Sequence, residues 1–162
     1  MSPLDKGALD LTEVNLNSFV RRIHQDIPLT HFMKWSVSIM DPLHLSAFAP
    51  LTPNINDKGT FFGGASSALM TISAWSLIKF QLEKLGLSND VVIHKSSCQW
   101  LRPQKSGIFI DCTFGDRPNW QEIEAALLNQ NKNIHLKVKC QARNDTDITC
   151  KMTASFVVLA KG

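Results

Sequence analysis

Residues 62–84 read FGGASSALMTISAWSLIKFQLEK, and this stretch decides the fold. A helix over 62–84 would be about 35 Å long. Its first half is apolar or small on every side. Its second half, with Lys79, Gln81, Glu83 and Lys84, becomes amphipathic, and Gly86 offers a C-terminal stop. A helix with no polar face must be surrounded by protein or by lipid. No charge occurs from Gly59 to Ile78, near the length of a membrane span. Gly63, Gly64, Ser66, Ser67, Thr71, Ser73 and Ser76 lower its hydropathy too far for that, so no membrane insertion is expected. The helix must therefore lie inside a sheet.

The flanking sequence supplies one. Trp35, Val37 and Ile39 alternate with serines, and Asp41–Pro42 marks a turn. A short strand over 44–49 follows, stopped by Pro50 and Pro53. Beyond the helix, 91–101 reads as a long strand ending at Pro103, and 108–114 as another. In 134–142, Ile134, Leu136, Val138, Cys140 and Ala142 alternate with polar residues. Ile148, Cys150, Met152, Ala154 and Phe156 alternate with Thr149, Lys151, Thr153 and Ser155. One apolar and one charged face per strand implies an antiparallel sheet wet on one side. Two further helices are expected. One spans about 11–25, with Asp10 and Glu13 as a capping pair, Leu16, Phe19, Val20 and Ile23 on one face, and Pro28 as its stop. The other runs from Asn119 and Glu122 to about 129. The sum is an α+β domain, an antiparallel sheet curled around one long buried helix. At 162 residues a single domain is expected, its core spanning about 29–160.

Composition narrows the function. A net charge of +3 lacks the concentrated basic stripe of a nucleic-acid binder. Cys98, Cys112, Cys140 and Cys150 form no CxxC pair, so reduced thiols and a cytoplasmic location are expected. The start, MSPLDKGALDL, lacks a signal peptide's basic and apolar regions. His24, His31, His44, His94 and His135 have no metal-ligand spacing.

Before the helix stands NINDKGTFFGG, residues 54–64. Asn56, Gly59, Thr60, Gly63 and Gly64 resemble the Asn-x-x-Gly-Thr-x-His-Gly-Gly element of the phenylacetate-pathway type of hotdog thioesterase. Leu101-Arg102-Pro103 with Gly107 resembles the turn those proteins place after the next strand. The closest resemblance is to the thioesterase domain at the C-terminus of YiiD-type proteins, whose loop is similar to PLTPNINDKGTFFGG, and it covers about 29–160. It implies the hotdog fold, an acyl-CoA or acyl-carrier-protein (acyl-ACP) substrate, and a homodimer, possibly a tetramer, with its pocket between subunits. No separate cofactor is implied, coenzyme A or phosphopantetheine being part of the substrate. Two positions depart from the pattern. Phe62 stands where the motif has His, and Thr71 where those enzymes carry an acidic residue.

Thioester hydrolysis needs a donor for the developing oxyanion and a group that positions or deprotonates water. The first amides of a helix have no intrahelical partner and sit at its positive end, which casts Gly63 and Gly64 as donors. Their other reading is tight packing of the helix start. Asp57 is the only carboxylate near that start; it acts either as base or as a loop aspartate satisfying local amides. Asn56 would orient water or the thioester, with Asn54 a weaker candidate in plain turn chemistry. Thr71 and Ser67 either face the site or bond back to their own helix. Phe61, Phe62, Met70 and Trp75 line an acyl tunnel or form core. Arg102, Lys105 and Lys95 are candidates for the phosphates of coenzyme A or a carrier arm, whereas Lys137, Lys139, Arg143 and Lys151 read as solvated surface. Two further roles stay open: a non-catalytic acyl-thioester binding or regulatory module, and an acyl-transfer role in fatty-acid synthesis.

Overall fold

The computed structural model describes residues 16–162. Among them, α1 covers 16–26; its expected start, with the Asp10 and Glu13 pair, lies outside the described residues. Phe19 and Ile23 of α1 are buried, with Leu16 and Val20 packed beside them, as their spacing predicts. Pro28 does end α1, but the chain does not turn directly into a strand. Proline is well placed at a first helical position, where its missing N–H is not needed, and it opens a second helix, α2 (Pro28–Phe32).

Strands β1 (Ser36–Met40) and β2 (His44–Ala49) precede the long helix α3 (Gly63–Lys84). After it come β3 (Val91–Trp100), β4 (Ile108–Phe114), helix α4 (Trp120–Asn129), β5 (Ile134–Arg143) and β6 (Ile148–Val158). The strands form one sheet in the order β1-β2-β4-β5-β6-β3, antiparallel throughout. Helix α3 packs on β2, β3, β4, β5 and β6, so the sheet curls around it. Leu69, Met70, Ala74, Leu77 and Ile78 are completely buried there, each larger side chain contributing about 1.5–3 kcal/mol. Most of the serines that ruled out a membrane span find partners inside protein, Ser76 being the exception. Ser73 donates to the Leu69 carbonyl at 2.6 Å and accepts from Trp35 Nε1 at 3.0 Å. No helix among the described residues is long and apolar enough to cross a membrane.

Most of the expected alternation holds. In β5, Val138, Cys140 and Ala142 are buried while Lys137, Lys139, Gln141 and Arg143 are exposed. Three details differ. Ile39 of β1 is 49% exposed, because the register with β2 shifts between Val37 and Ile39 and turns it outward. Thr149 of β6, expected on the wet face, is buried: the segment after β3 folds over it, and its hydroxyl donates to Gln104 Oε1 at 2.6 Å. Strand β3 pairs only with β6 and is exposed on both faces over most of its length, the mark of a sheet edge. The four cysteines are free. Cys112, Cys140, Met152 and Cys98 stand opposite one another across β4, β5, β6 and β3, a row of sulfurs under α3.

Candidate active site

The loop before α3 is a small closed unit. Ile55 and Phe61 form an antiparallel bridge, and Asn56 holds the tip together. Its Oδ1 accepts the Lys58 and Thr60 amides at 2.9 and 3.0 Å, and its Nδ2 donates to Thr60 Oγ1 at 2.9 Å. Asn54 ties the unit to the body. Its buried Nδ2 donates to the carbonyls of Met33 and Pro50, both at 2.9 Å, and its own carbonyl accepts the Phe62 amide at 2.7 Å. Both asparagines thus satisfy backbone groups of their own chain. The tip carries Asp57, with its side chain 82% exposed and a Lys58 ammonium 3.2 Å away.

Helix α3 starts one residue later than the sequence suggests, with Phe62 as its N-cap. No side chain caps it, and its first-turn amides are the donors a helix always leaves over. Ser66 is the first to bond back, to the Phe62 carbonyl at 3.0 Å. The two glycines have a packing reason of their own. A Cβ on Gly64 would lie 2.6 Å from the Phe62 ring, and one on Gly63 3.1 Å from Trp100 Nε1. That indole donates to the Gly63 carbonyl at 3.1 Å. The space vacated by the missing side chains is thus filled by two aromatic rings of the chain itself.

In front of this helix start lies a cleft of about 470 Å³, lined among others by Phe61, Gly63, Trp100, Arg102 and Cys150. Buried Gln104 braces it: its carbonyl accepts the Phe61 amide at 2.8 Å, and its Nε2 donates to the Gly107 carbonyl at 2.8 Å. Trp100, Gln104 and Thr149 are the residues that sequence reasoning missed. Gln104 stands between Pro103 and Lys105 and reads as exposed turn. Trp100 reads as one more strand residue, and only the pairing of β3 with β6 aims it at Gly63. Arg102 is half-exposed and pairs with Asp147 at 3.2 Å, while Lys105 is exposed in the same turn. Cys150 borders the cleft, but burial pushes its thiol up to about 11. It stays protonated at neutral pH and makes a poor nucleophile.

Ser67 and Thr71 lie further along α3. Their hydroxyls donate to the Gly64 carbonyl at 3.0 Å and the Ser67 carbonyl at 2.8 Å. Each bonds back to its own helix, leaving oxygen lone pairs toward a groove of about 620 Å³ between α2, α3 and β3. Of the four expected tunnel residues, Phe61 and Met70 are buried, Phe62 is 56% exposed, and Trp75 is half-buried in the groove wall. Lys95 is exposed on β3.

A second polar cluster lies elsewhere. Ser46 and His44 of β2 meet Asp111 of β4 at 2.6 and 3.2 Å, and Arg143 of β5 meets it at 3.3 Å. Burial raises the Asp111 pKa, but the hydrogen bonds from Ser46, His44 and Arg143 outweigh it, so the carboxyl sits below its usual range. Its neighbours Ile110 and Cys112 point into the core, so Asp111 is on the opposite, outer face of the sheet, away from α3. Among the described residues no group of three or more His, Cys, Asp or Glu is placed to hold a metal ion.

Comparison with known proteins bears on the fold and the family. Residues 16–160 match the sequence family described as "Putative thioesterase (yiiD_Cterm)". No curated protein matches the chain. Among solved structures, a protein from Shewanella oneidensis described as a "putative thioesterase" is 24% identical. It superposes with a TM-score of 0.80 over 91% of this chain and 99% of its own. A protein of unknown function from Chlorobaculum tepidum is 19% identical, with a TM-score of 0.82 over 93% and 96%. A thioesterase from Haemophilus influenzae is 16% identical, with a TM-score of 0.66 over 82% of each chain. At these identities the structures speak for the fold, while the family match extends over nearly all the described residues. The chain belongs to the YiiD C-terminal thioesterase family and has the hotdog fold.

Proposed function

We propose that the protein hydrolyses acyl thioesters of coenzyme A or of an acyl-carrier phosphopantetheine, working in the cytoplasm as a homodimer. The observation that carries this reading is the start of α3, which no side chain caps and which borders the 470 Å³ cleft. Amides there meet a developing oxyanion with fixed dipoles and the positive end of a helix of 22 residues. The Gly63 and Gly64 amides polarise the thioester carbonyl. Water acts as the nucleophile in this reading, with Cys150 at the cleft border held as a thiol. Asp57 positions or deprotonates that water, and Asn56 fixes the hairpin that presents Asp57. Arg102 and Lys105, in the turn beyond β3, take the phosphates of the carrier arm. No second ligand is needed, the pantetheine being part of the substrate.

The homodimer reading is supported by β3, whose outer edge has no partner strand and whose side chains are exposed on both faces. The reading requires that a dimer formed through that edge bring the exposed Asp57 of one subunit towards α3 of the other. The test is acyl-CoA turnover in the wild type, Asp57→Asn and Asn56→Ala. Loss by orders of magnitude in Asp57→Asn, and a smaller loss in Asn56→Ala, is the expected result. Unchanged turnover in both would remove these residues from the mechanism.

One observation favours a second reading. The α3 stripe facing the groove carries Ser67 and Thr71 and no ionisable group, and Asp57 stands in solvent. A non-catalytic acyl-thioester binding module fits that arrangement. It requires saturable acyl-CoA binding with no hydrolysis.

A further inference from the structure

We propose that the outer face of the sheet is a docking surface for an acidic carrier domain, a protein that presents the acyl group on its phosphopantetheine arm. The inference rests on the acyl-thioester reading above and chooses between its two carriers. Lys137 and Lys139 of β5 flank buried Val138 and so point away from α3. Strand pairing sets Lys151 of β6 and Lys95 of β3 on the same face. Lys137 shares a row with Ser155 and Lys95, and Lys139 with Thr113, Thr153 and Ser97. Lys151 shares the next row with Gln141 and Gln99. Strand spacing puts the four lysines within a field of roughly 10 by 14 Å. All four are exposed, and no carboxylate among the described residues pairs with them.

The field has one sign. Asp111 is the only acidic residue in the six strands, and Ser46, His44 and Arg143 already hold it. The four lysines alone carry more charge than the whole chain's net +3. None of them lines the cleft before α3, so coenzyme A seated there meets Arg102 but not this field. The charge therefore addresses something larger. A nucleic acid on an open sheet stacks its bases on aromatic side chains, and a membrane surface takes up an apolar face. The rows between the lysines offer neither, only hydroxyls and amides, which donate hydrogen bonds to carboxylates. A second copy laid on this face sets lysines against lysines. A dimer through the β3 edge extends the sheet instead and leaves the face uncovered. The face also adjoins the reaction. Gln99 precedes Trp100 and Lys151 follows Cys150, and both Trp100 and Cys150 line the cleft. An acidic domain docked on the lysines stands at the strand ends where the cleft opens.

The measurement is kcat and KM for octanoyl-CoA and for the octanoyl thioester of a negatively charged acyl-carrier protein. It compares wild type with Lys137→Glu/Lys139→Glu, and with Lys34→Glu/Lys161→Glu, which makes the same change of charge outside the sheet. Wild type is expected to show the higher kcat/KM for the carrier thioester, falling about tenfold between about 50 and 300 mM salt. The face variant is expected to raise KM for the carrier thioester at least about tenfold. Its kcat, and both constants for octanoyl-CoA, stay within about twofold of wild type, which also shows that it folds. The control variant behaves as wild type. A carrier KM that the face variant leaves unmoved, or that the control variant moves equally, overturns the docking surface. So does a wild type that prefers octanoyl-CoA. Should neither thioester be hydrolysed, the thioesterase reading fails, and fluorescence anisotropy of the labelled carrier protein judges the surface separately. Binding lost in the face variant and kept in the control sustains it, and absence of binding overturns it. Binding of phosphatidylserine-containing vesicles or of single-stranded RNA in place of the carrier, abolished in the face variant, also overturns it and assigns the face to a membrane or to RNA.

Discussion

The two ends of α3 are built on opposite plans. At the C-terminus the chain completes itself. Gly86 adopts a left-handed φ of 75°, its amide reaches the Glu83 carbonyl at 2.9 Å, and the Leu87 amide reaches the Leu82 carbonyl at 2.9 Å. Lys84 places a cation near the negative pole of the helix. At the N-terminus no side chain caps the helix and no acidic residue stands in the first turn. Two aromatic rings and a braced loop shape the space there, and no side chain accepts from the first-turn amides. The C-terminal end is closed by backbone bonds, whereas the N-terminal end leaves its first amides without a side-chain partner, which is the condition the proposed oxyanion role needs.

The strongest way to break that contrast is to delete one donor without disturbing the helix. Gly63 is the first helical residue, where proline is tolerated, and Phe62 already has the extended φ and ψ of −65° and 127° that a residue before proline requires. Gly63→Pro removes the amide, and its Cβ would stand 3.1 Å from Trp100 Nε1, a contact the indole relieves by a small shift. Acyl-CoA turnover is expected to fall roughly a hundredfold to a thousandfold, with the melting temperature nearly kept. Turnover at the wild-type level would mean that the Gly63 amide is not a donor in the reaction. At the other end the pattern reverses. Gly86→Ala forces an alanine into the left-handed region and is expected to cost about 1–2 kcal/mol in chemical denaturation, with kcat unchanged.

Between the ends, Ser76 is fully buried, and its hydroxyl is the one buried side-chain polar atom left without a partner among the described residues. Ser76→Ala removes an unmet desolvation penalty and is expected to stabilise the protein by about 1 kcal/mol, read as a higher denaturation midpoint. The smallest effect is electrostatic. Lys84→Glu sets a negative charge beside the C-terminal carbonyls and takes away the ammonium 4.9 Å from the Phe80 ring. A loss of about 0.3–1 kcal/mol is expected, shrinking as salt is added. A loss that salt leaves untouched would assign the effect to packing instead.

Much of this could be read along the chain. The uncharged run up to Ile78 required a helix enclosed by a sheet, and the alternation in β5 and β6 supplied that sheet with its dry and wet faces. The Asn119 cap of α4 was legible too; its Oδ1 accepts the Glu122 amide at 3.2 Å. What alternation could not show was a bulge. In β1 a single register shift turned Ile39 outward. Nor could it show that a polar residue in a turn would be buried, because Gln104 finds its partners in the remote Thr149 hydroxyl and in the Gly107 carbonyl of an irregular segment. At the site, the sequence singled out Asn54 and Asn56 as chemistry-bearing residues. The structure places their amides in the bonds that hold the loop, and leaves Asp57 at its tip.

The sequence by itself determined that a long helix lies within an antiparallel sheet, since an uncharged helix and half-apolar strands have one economical way to bury each other. It determined as well that a glycine pair opens that helix behind a polar loop. Only the tertiary structure decided what stands before the glycines, which strands became the sheet edges, and where an apolar groove runs. Those depend on strand order. The order brings Trp100 to Gly63 and Val91 to Trp75, contacts between residues far apart in the chain that no local pattern encodes.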